Sequence, residues 1–86
     1  MNLDELRDNI NVIDNQIINL LEQRMKLSAK IADVKRKSNI PVYNETRENE
    51  IKNNIRHKTN NYTDEIISIY ESIFENSQKI QYEINK

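Results

Sequence analysis

The sequence contains no cysteine, no glycine and a single proline among its 86 residues. Without cysteine, the chain forms neither disulfides nor thiolate metal sites. A β-rich domain of this size needs glycine in its turns, so the lack of glycine favours an all-α fold. A chain this short buries only about 60% of its unfolded surface, so its stability must come from very regular helix packing or from oligomerisation.

The sequence also lacks an excess of charge of either sign and a long apolar run. The 13 basic and 14 acidic residues nearly cancel, which argues against nucleic-acid binding, since that function usually shows as a basic excess. The longest mostly apolar run, Ile17 to Leu21, is far too short to span a bilayer. The N-terminus has neither the basic nor the apolar segment of a signal peptide. We therefore expect a cytoplasmic protein that binds neither nucleic acid nor membrane.

The first third of the chain carries a regular ladder of apolar side chains. They recur every three or four positions from Leu3 to Val34, which is typical of one long amphipathic helix. The ladder is interrupted at position 24, where arginine replaces the expected apolar residue. A buried guanidinium without an anion is very costly, so Arg24 must face an anionic group.

The apolar periodicity and the polar stretches between its segments predict three helices and no strands. The helices are expected to cover about residues 3–37, 45–57 and 63–84. Asn2 and Asn44 are suited to cap the first two, because asparagine side chains accept backbone N–H groups at helix starts. Pro41 favours the end of the first helix shortly before it.

The first helix is too long for a compact domain of this size. At 1.5 Å per residue it is ~50 Å long, whereas a compact 86-residue globule is about 30 Å across. Its apolar seam continues along the whole overhang, so a second chain is expected to cover it. The simplest closed solution is an antiparallel or crossing homodimer.

Several polar residues interrupt the apolar faces of the predicted helices. They are Arg24, Ser28 and Lys35 in the first helix, Arg47 and Glu48 in the second, and Ser77 and Gln81 in the third. Arg24 and Lys35 are about three turns apart, so both point the same way at a separation of ~16 Å along the axis. Two inward cations suggest a ligand with two negative groups, or one anion plus a developing charge.

Each of these residues also has an ordinary structural explanation. Arg24 could pair with a buried glutamate, and Lys35 could face water at the negative end of its helix. Ser77 could bond back to its own helix, Gln81 could fix the packing register, and the Arg47–Glu48 neighbours could form a solvated pair. All of these together would leave the core full of unexplained polar groups, which favours one shared polar pocket.

The sequence offers few groups for covalent or metal chemistry. The single histidine, His57, lies at a frayed helix end, and no Ser–His arrangement, phosphate-binding glycine loop or metal-ligand cluster is present. Any reaction must therefore depend on electrostatics and shape. Arg7 lies ~25 Å from Arg24 along the helix and is turned by about 100°, so it reaches such a pocket only from a second chain.

The residue pattern resembles the all-α (AroQ-type) chorismate mutases. The matching positions are Leu3-x-x-Leu6-Arg7, Ile13-Asp14, Leu20-Leu21-x-x-Arg24, Lys35, Pro41-Val42, Arg47-Glu48, Ser77 and Gln81. Members of that family are intertwined dimers of three-helix chains, and they convert chorismate to prephenate, a Claisen rearrangement in the pathway to phenylalanine and tyrosine. The resemblance covers nearly the whole chain and implies one such domain over residues 1–86, a dianionic substrate, and neither cofactor nor metal.

The resemblance also implies a role for each polar position. Arg24 and Arg7 of the partner subunit would bind substrate carboxylates, and Lys35 and Gln81 would hydrogen-bond the ether oxygen. The remaining roles would fall to Glu48 and the main chain of Asn44 at the ring hydroxyl, and to Arg47 and Ser77 on the carboxylate side. The family often has aspartate in place of Asn44, so a main-chain contact is expected there.

Two other functions remain open from the sequence alone. An isochorismate pyruvate-lyase resembles this family and uses a similar pocket, and assays with both substrates distinguish it. A non-enzymatic helical dimerisation module would explain the seam and the overhang, but not the inward Lys35, Ser77 and Gln81. A pure scaffold would also show no thermal shift with a bicyclic transition-state mimic.

Overall fold

The computed structural model describes residues 1–84 and contains three α-helices joined by short loops. Helix α1 spans Leu3–Lys37, α2 spans Glu45–Lys58 and α3 spans Thr63–Ile84. The predicted all-α fold class with a long first helix is confirmed, and the helix bounds agree with the predicted ones to within a residue. None of these three helices has the length and apolarity needed to cross a membrane.

Asparagine side chains begin the first two helices, as the sequence predicts. Oδ1 of Asn2 accepts the N–H of Glu5 at 2.9 Å, and Oδ1 of Asn44 accepts the N–H of Arg47 at 3.0 Å. Each bond satisfies one of the backbone donors left unpaired in a first helical turn. After α1 the chain turns at Asn39, whose φ of 56° lies in the left-handed region that asparagine tolerates better than most residues.

Helix α3 is the centre of the fold, because it packs against both α1 and α2. The apolar residues buried in the described part of the chain are Ala32, Val42, Ile55 and Phe74, one from each helix and one from the loop after α1. An ion pair between Lys52 and Glu71, with Nζ and Oε1 2.6 Å apart, joins α2 to α3. The hydrogen bond to the Glu71 carboxylate raises the pKa of Lys52 above its ordinary value.

The first half of α1 projects away from this core. Every residue from 1 to 20 is exposed, including the seam side chains Leu6, Ile13 and Ile17. The chain measures 53 × 24 × 15 Å with a radius of gyration of 15.9 Å, against ~12 Å for a compact chain of this length. The predicted overhang is therefore confirmed, whereas the homodimer that would cover it stays a prediction.

Candidate active site

The polar residues singled out from the sequence meet in one cavity. It has a volume of ≈ 290 Å³ and lies between the second half of α1, the following loop, the first turns of α2 and the second half of α3. Its lining includes all the predicted site residues except Arg7. They are Arg24, Lys35, Asn44, Arg47, Glu48, Ser77 and Gln81. Three cations and one carboxylate give this wall an excess of positive charge, which suits a dianion.

Arg24 is half-buried in the cavity wall, and no carboxylate within residues 1–84 forms an ion pair with it. Its guanidinium instead lies over the ring of Tyr70, with Cζ 5.9 Å from the ring centroid. This distance allows a cation–π contact, which steadies the side chain without neutralising its charge. The alternative of a glutamate partner is thus not found within residues 1–84, and Arg24 is available to an anion.

Lys35 is half-buried and its ammonium is fixed by the backbone. Nζ donates a hydrogen bond of 2.7 Å to the carbonyl oxygen of Val42, in the loop between α1 and α2. An ammonium has three donors, so this bond holds the group in place and leaves two N–H groups for a ligand. Lys35 is therefore part of the cavity wall and not simply a solvated charge at a helix end.

Arg47 and Glu48 are neighbours in sequence but have different partners. Arg47 is mostly exposed and pairs with Glu50 on its own helix, with Nη1 and Oε2 3.2 Å apart. Pairs of this kind are worth little in water, so an anionic ligand competes easily for the guanidinium. Glu48 accepts a hydrogen bond of 2.7 Å from Nε2 of Gln78 in α3. The alternative of an Arg47–Glu48 pair is therefore wrong.

Gln78 lines the cavity as well, and the sequence interpretation missed it. The residue lies beside the apolar stripe of α3 rather than within it, so the stripe did not indicate it. The available signal was its spacing, four residues after Phe74 and three before Gln81, which places it on the same side of the helix. Its hydrogen bond orients the Glu48 carboxylate and leaves the other carboxylate oxygen free to accept.

Ser77 and Gln81 are buried at the end of the cavity formed by α1 and α3. The Ser77 hydroxyl lies 2.7 Å from the hydroxyl of Ser28 across the helix interface and accepts a 3.2 Å bond from Nε2 of Gln81. Ser77 is therefore bonded to a second helix, contrary to the alternative in which it only bonds back to its own. Oε1 of Gln81 is buried without a partner, which is rare in folded proteins.

Two predicted site residues do not offer a side chain to the cavity in the single chain. The side chain of Asn44 is exposed and caps α2, so its main chain is the part suited to a ligand. Arg7 lies on the exposed half of α1, outside the cavity lining. This position agrees with the helix geometry, which separates Arg7 from Arg24 by ~25 Å.

The chain matches the family model described as chorismate mutase type II over residues 6–82. The chain belongs to the chorismate mutase type II family. A relative from Methanocaldococcus jannaschii named chorismate mutase is 33% identical over 92% of this chain and 83% of its own length. These findings confirm the family predicted from the residue pattern and support the predicted function. The roles of the individual site residues stay predictions.

Two further comparisons are with a longer protein and with a solved structure. A bifunctional chorismate mutase/prephenate dehydratase from Aquifex aeolicus is 45% identical over 57% of this chain, which spans only 14% of that longer protein. A solved structure of a conserved hypothetical protein from Pyrococcus furiosus superposes with a TM-score of 0.77. It is 35% identical, and the match covers 92% of this chain and 93% of that one. The three-helix architecture is therefore shared.

Proposed function

We propose that this chain rearranges chorismate to prephenate in the cavity between its three helices, as a dimer whose subunits complete each other's sites. The observation that carries the proposal is the set of unneutralised cations in the cavity wall, next to buried amide and hydroxyl groups. Arg24 has no anionic partner in the described chain, and Lys35 has spare donors. This arrangement suits a small dianion better than a packing role.

The carboxylates of the substrate are held by guanidinium groups. Arg24 binds one of them, and Arg47 exchanges its weak surface pair with Glu50 for a substrate carboxylate. Arg7 of the partner subunit supplies the further cation. Holding both ends of a flexible dianion keeps the two reacting carbons close together, which removes much of the entropic part of the barrier.

The ether oxygen lies between Lys35 and Gln81. Negative charge grows on this oxygen as the C–O bond breaks and the new C–C bond forms. An N–H donor that is already in place, such as the Lys35 ammonium, stabilises that charge more than it stabilises the ground state, and this difference accelerates the reaction. The bond from Nζ of Lys35 to the carbonyl oxygen of Val42 supplies the preorganisation.

Glu48 accepts a hydrogen bond from the ring hydroxyl of the substrate. Gln78 donates a hydrogen bond to one carboxylate oxygen of Glu48, so the other oxygen is the acceptor for the ligand. The backbone N–H of Glu48 donates a 3.1 Å hydrogen bond to the carbonyl oxygen of Asn44, so the main chain of Asn44 lies close to Glu48 in the cavity wall. No step in this scheme needs a nucleophilic side chain or a group supplied from outside the two chains.

The direct test is the loss of chorismate absorbance on addition of purified protein, with prephenate identified as the product. Isochorismate is the matched second substrate. We expect turnover of chorismate without release of pyruvate. Release of pyruvate from isochorismate, with chorismate left intact, would instead assign the protein as a lyase.

The homodimer is supported by the exposed seam of α1. Its apolar side chains face solvent along most of the helix, and an apolar groove between α1 and α3 adds to this surface. So much contiguous apolar area is unusual on a monomer and typical of an interface. A crossing of two α1 helices also carries Arg7 of each chain toward the other chain's cavity.

Sedimentation at low micromolar concentration is expected to give about twice the chain mass of 10.3 kDa, because the isolated chain has too small a core to be stable alone. The matched variants are Ile13→Lys in the seam and Val12→Lys beside it. Both side chains are similarly exposed in the single chain, at 49% and 58%. Only Ile13→Lys is expected to break the dimer. A folded wild-type monomer would contradict the proposal.

A further inference from the structure

We propose that Ser28 is a positioning residue for the reaction. When substrate is bound, it acts through the Ser77 hydroxyl and holds the Gln81 amide a half-turn from its orientation in the free chain, so that an N–H group faces the ether oxygen. The inference rests on the proposed function of the cavity and adds a residue to which neither the sequence pattern nor the family resemblance gave a role. It follows from the hydrogen-bond geometry at the contact between α1 and α3.

Three buried side chains form a continuous chain of hydrogen bonds. Ser28, Ser77 and Gln81 are 3%, 8% and 6% exposed. The two hydroxyl oxygens are 2.7 Å apart, and Nε2 of Gln81 lies 3.2 Å from the Ser77 oxygen. The chain ends at Oε1 of Gln81, which is buried without a partner. An unpartnered atom at the end of an otherwise satisfied network marks the position where a ligand atom is needed.

The orientation of the amide decides what that position offers. An ether oxygen only accepts hydrogen bonds, so the Gln81 amide must offer it an N–H group. When Nε2 of Gln81 donates to Ser77, the amide atom left without a partner is Oε1, which is an acceptor like the ether oxygen and cannot bond to it. A half-turn of the terminal amide exchanges the two atoms. The Ser77 hydroxyl then donates to Oε1, and an N–H group takes the unpartnered position.

Ser28 favours the second orientation because a hydroxyl has only one proton. When Ser77 donates to Oε1 of Gln81, the proton shared between the two serines must come from Ser28. The hydrogen bonds then all donate in one direction, from Ser28 to Ser77 and from Ser77 to Gln81. Without Ser28, the Ser77 oxygen depends on the Gln81 N–H for its donor, and the amide keeps the orientation that it has in the free chain, which does not suit the ether oxygen.

Ser28→Ala is expected to lower kcat about fivefold, the usual effect of one hydrogen bond, with KM changed less than twofold. Ser28→Cys keeps the volume of the side chain but is a weak donor, so it should lose nearly as much. The matched control is Ser68→Ala, an exposed serine of α3 outside this hydrogen-bond chain and outside both the cavity and the apolar groove, which should leave kcat unchanged. Full activity in both Ser28 variants would overturn the proposal.

A pH profile separates positioning from packing. In Gln81→Glu the new carboxyl donates to the ether oxygen only when protonated, so turnover falls as pH rises through its pKa. Donation from the Ser77 hydroxyl stabilises the charged form and lowers that midpoint, and Ser28 strengthens the donation. Adding Ser28→Ala to Gln81→Glu should therefore raise the pH midpoint of turnover. If the lost hydrogen bond changes the acid dissociation constant of the new carboxyl about fivefold, the midpoint moves by about 0.7 pH unit. Equal midpoints in Gln81→Glu with and without Ser28→Ala would overturn the proposal.

The side-chain amide signals of Gln81 in an NMR spectrum provide a readout that does not depend on turnover. They should shift in Ser28→Ala and stay in place in Ser68→Ala. Unchanged signals in Ser28→Ala would exclude the role of Ser28 even in an active enzyme. A shift in a protein that does not turn over chorismate would support the hydrogen-bond chain and count against the proposed function instead.

Discussion

Lys35→Ala is expected to lower the turnover of chorismate at least a hundredfold while leaving the helix content unchanged. Removing one preorganised donor from a developing oxyanion costs about 3 kcal/mol. The loss should fall mainly on kcat, because the charge on the ether oxygen is small before the C–O bond begins to break. The measurement is steady-state kinetics, with circular dichroism as the check on folding.

The matched control for Lys35 is Lys37, a lysine of the same last turn of α1. Lys37 is exposed and pairs with Asp33, 2.9 Å away, and it does not line the cavity. Lys37→Ala should therefore retain nearly full turnover. A loss of less than threefold in Lys35→Ala would mean that Lys35 is only a helix-end charge, held to Val42 for structural reasons.

Arg24→Ala is expected to lower kcat/KM at least about thirtyfold, with most of the loss in KM. A carboxylate left in the cavity without its cationic partner costs about 2 to 5 kcal/mol. Arg24→Lys keeps the charge but loses the planar guanidinium that binds a carboxylate through two N–H groups. Its kcat/KM should therefore lie between those of the wild type and Arg24→Ala. The measurement is the dependence of the rate on chorismate concentration.

The stability of Arg24→Ala distinguishes binding from packing. The specific contact that the variant loses within residues 1–84 is the one with Tyr70, so its thermal midpoint should change little. Arg36→Ala is the matched control, because Arg36 lies on the same helix, pairs with Asp33 and is outside the cavity lining. An Arg24→Ala protein that unfolds easily but keeps its kcat/KM would show that Arg24 serves the fold.

The helices and most of the cavity wall were predictable because their signals are local. An amphipathic helix repeats its apolar positions every three to four residues, so a misplaced arginine such as Arg24 stands out in the sequence. Caps such as Asn2 and Asn44 involve atoms only three residues apart. Once three helices are assigned, inward polar residues on each of them are expected to share one cavity.

The pairing of side chains within the cavity was not predictable in the same way. Glu48 bonds to Gln78 and Ser77 to Ser28, and both bonds cross between helices. Such contacts depend on the relative rotation of the helices and on rotamers, which a periodic pattern does not specify. The choice of Glu50 as the partner of Arg47 is likewise a matter of rotamers.

The shared active site is tested most directly by mixing two inactive variants, Arg7→Ala and Lys35→Ala, and refolding them together. In a mixed dimer, one cavity combines the intact Lys35 of the first chain with the intact Arg7 of the second, and the other cavity lacks both. Random pairing makes about half of the dimers mixed, so about a quarter of all cavities should be complete under two-fold symmetry.

The activity of the refolded mixture should rise from near zero to roughly a quarter of the wild-type value. Each variant refolded alone is the control and should stay inactive. If each cavity were built from a single chain, no pairing could restore one, and the mixture would remain as inactive as its parents. That result would contradict both the intertwined dimer and the role of Arg7.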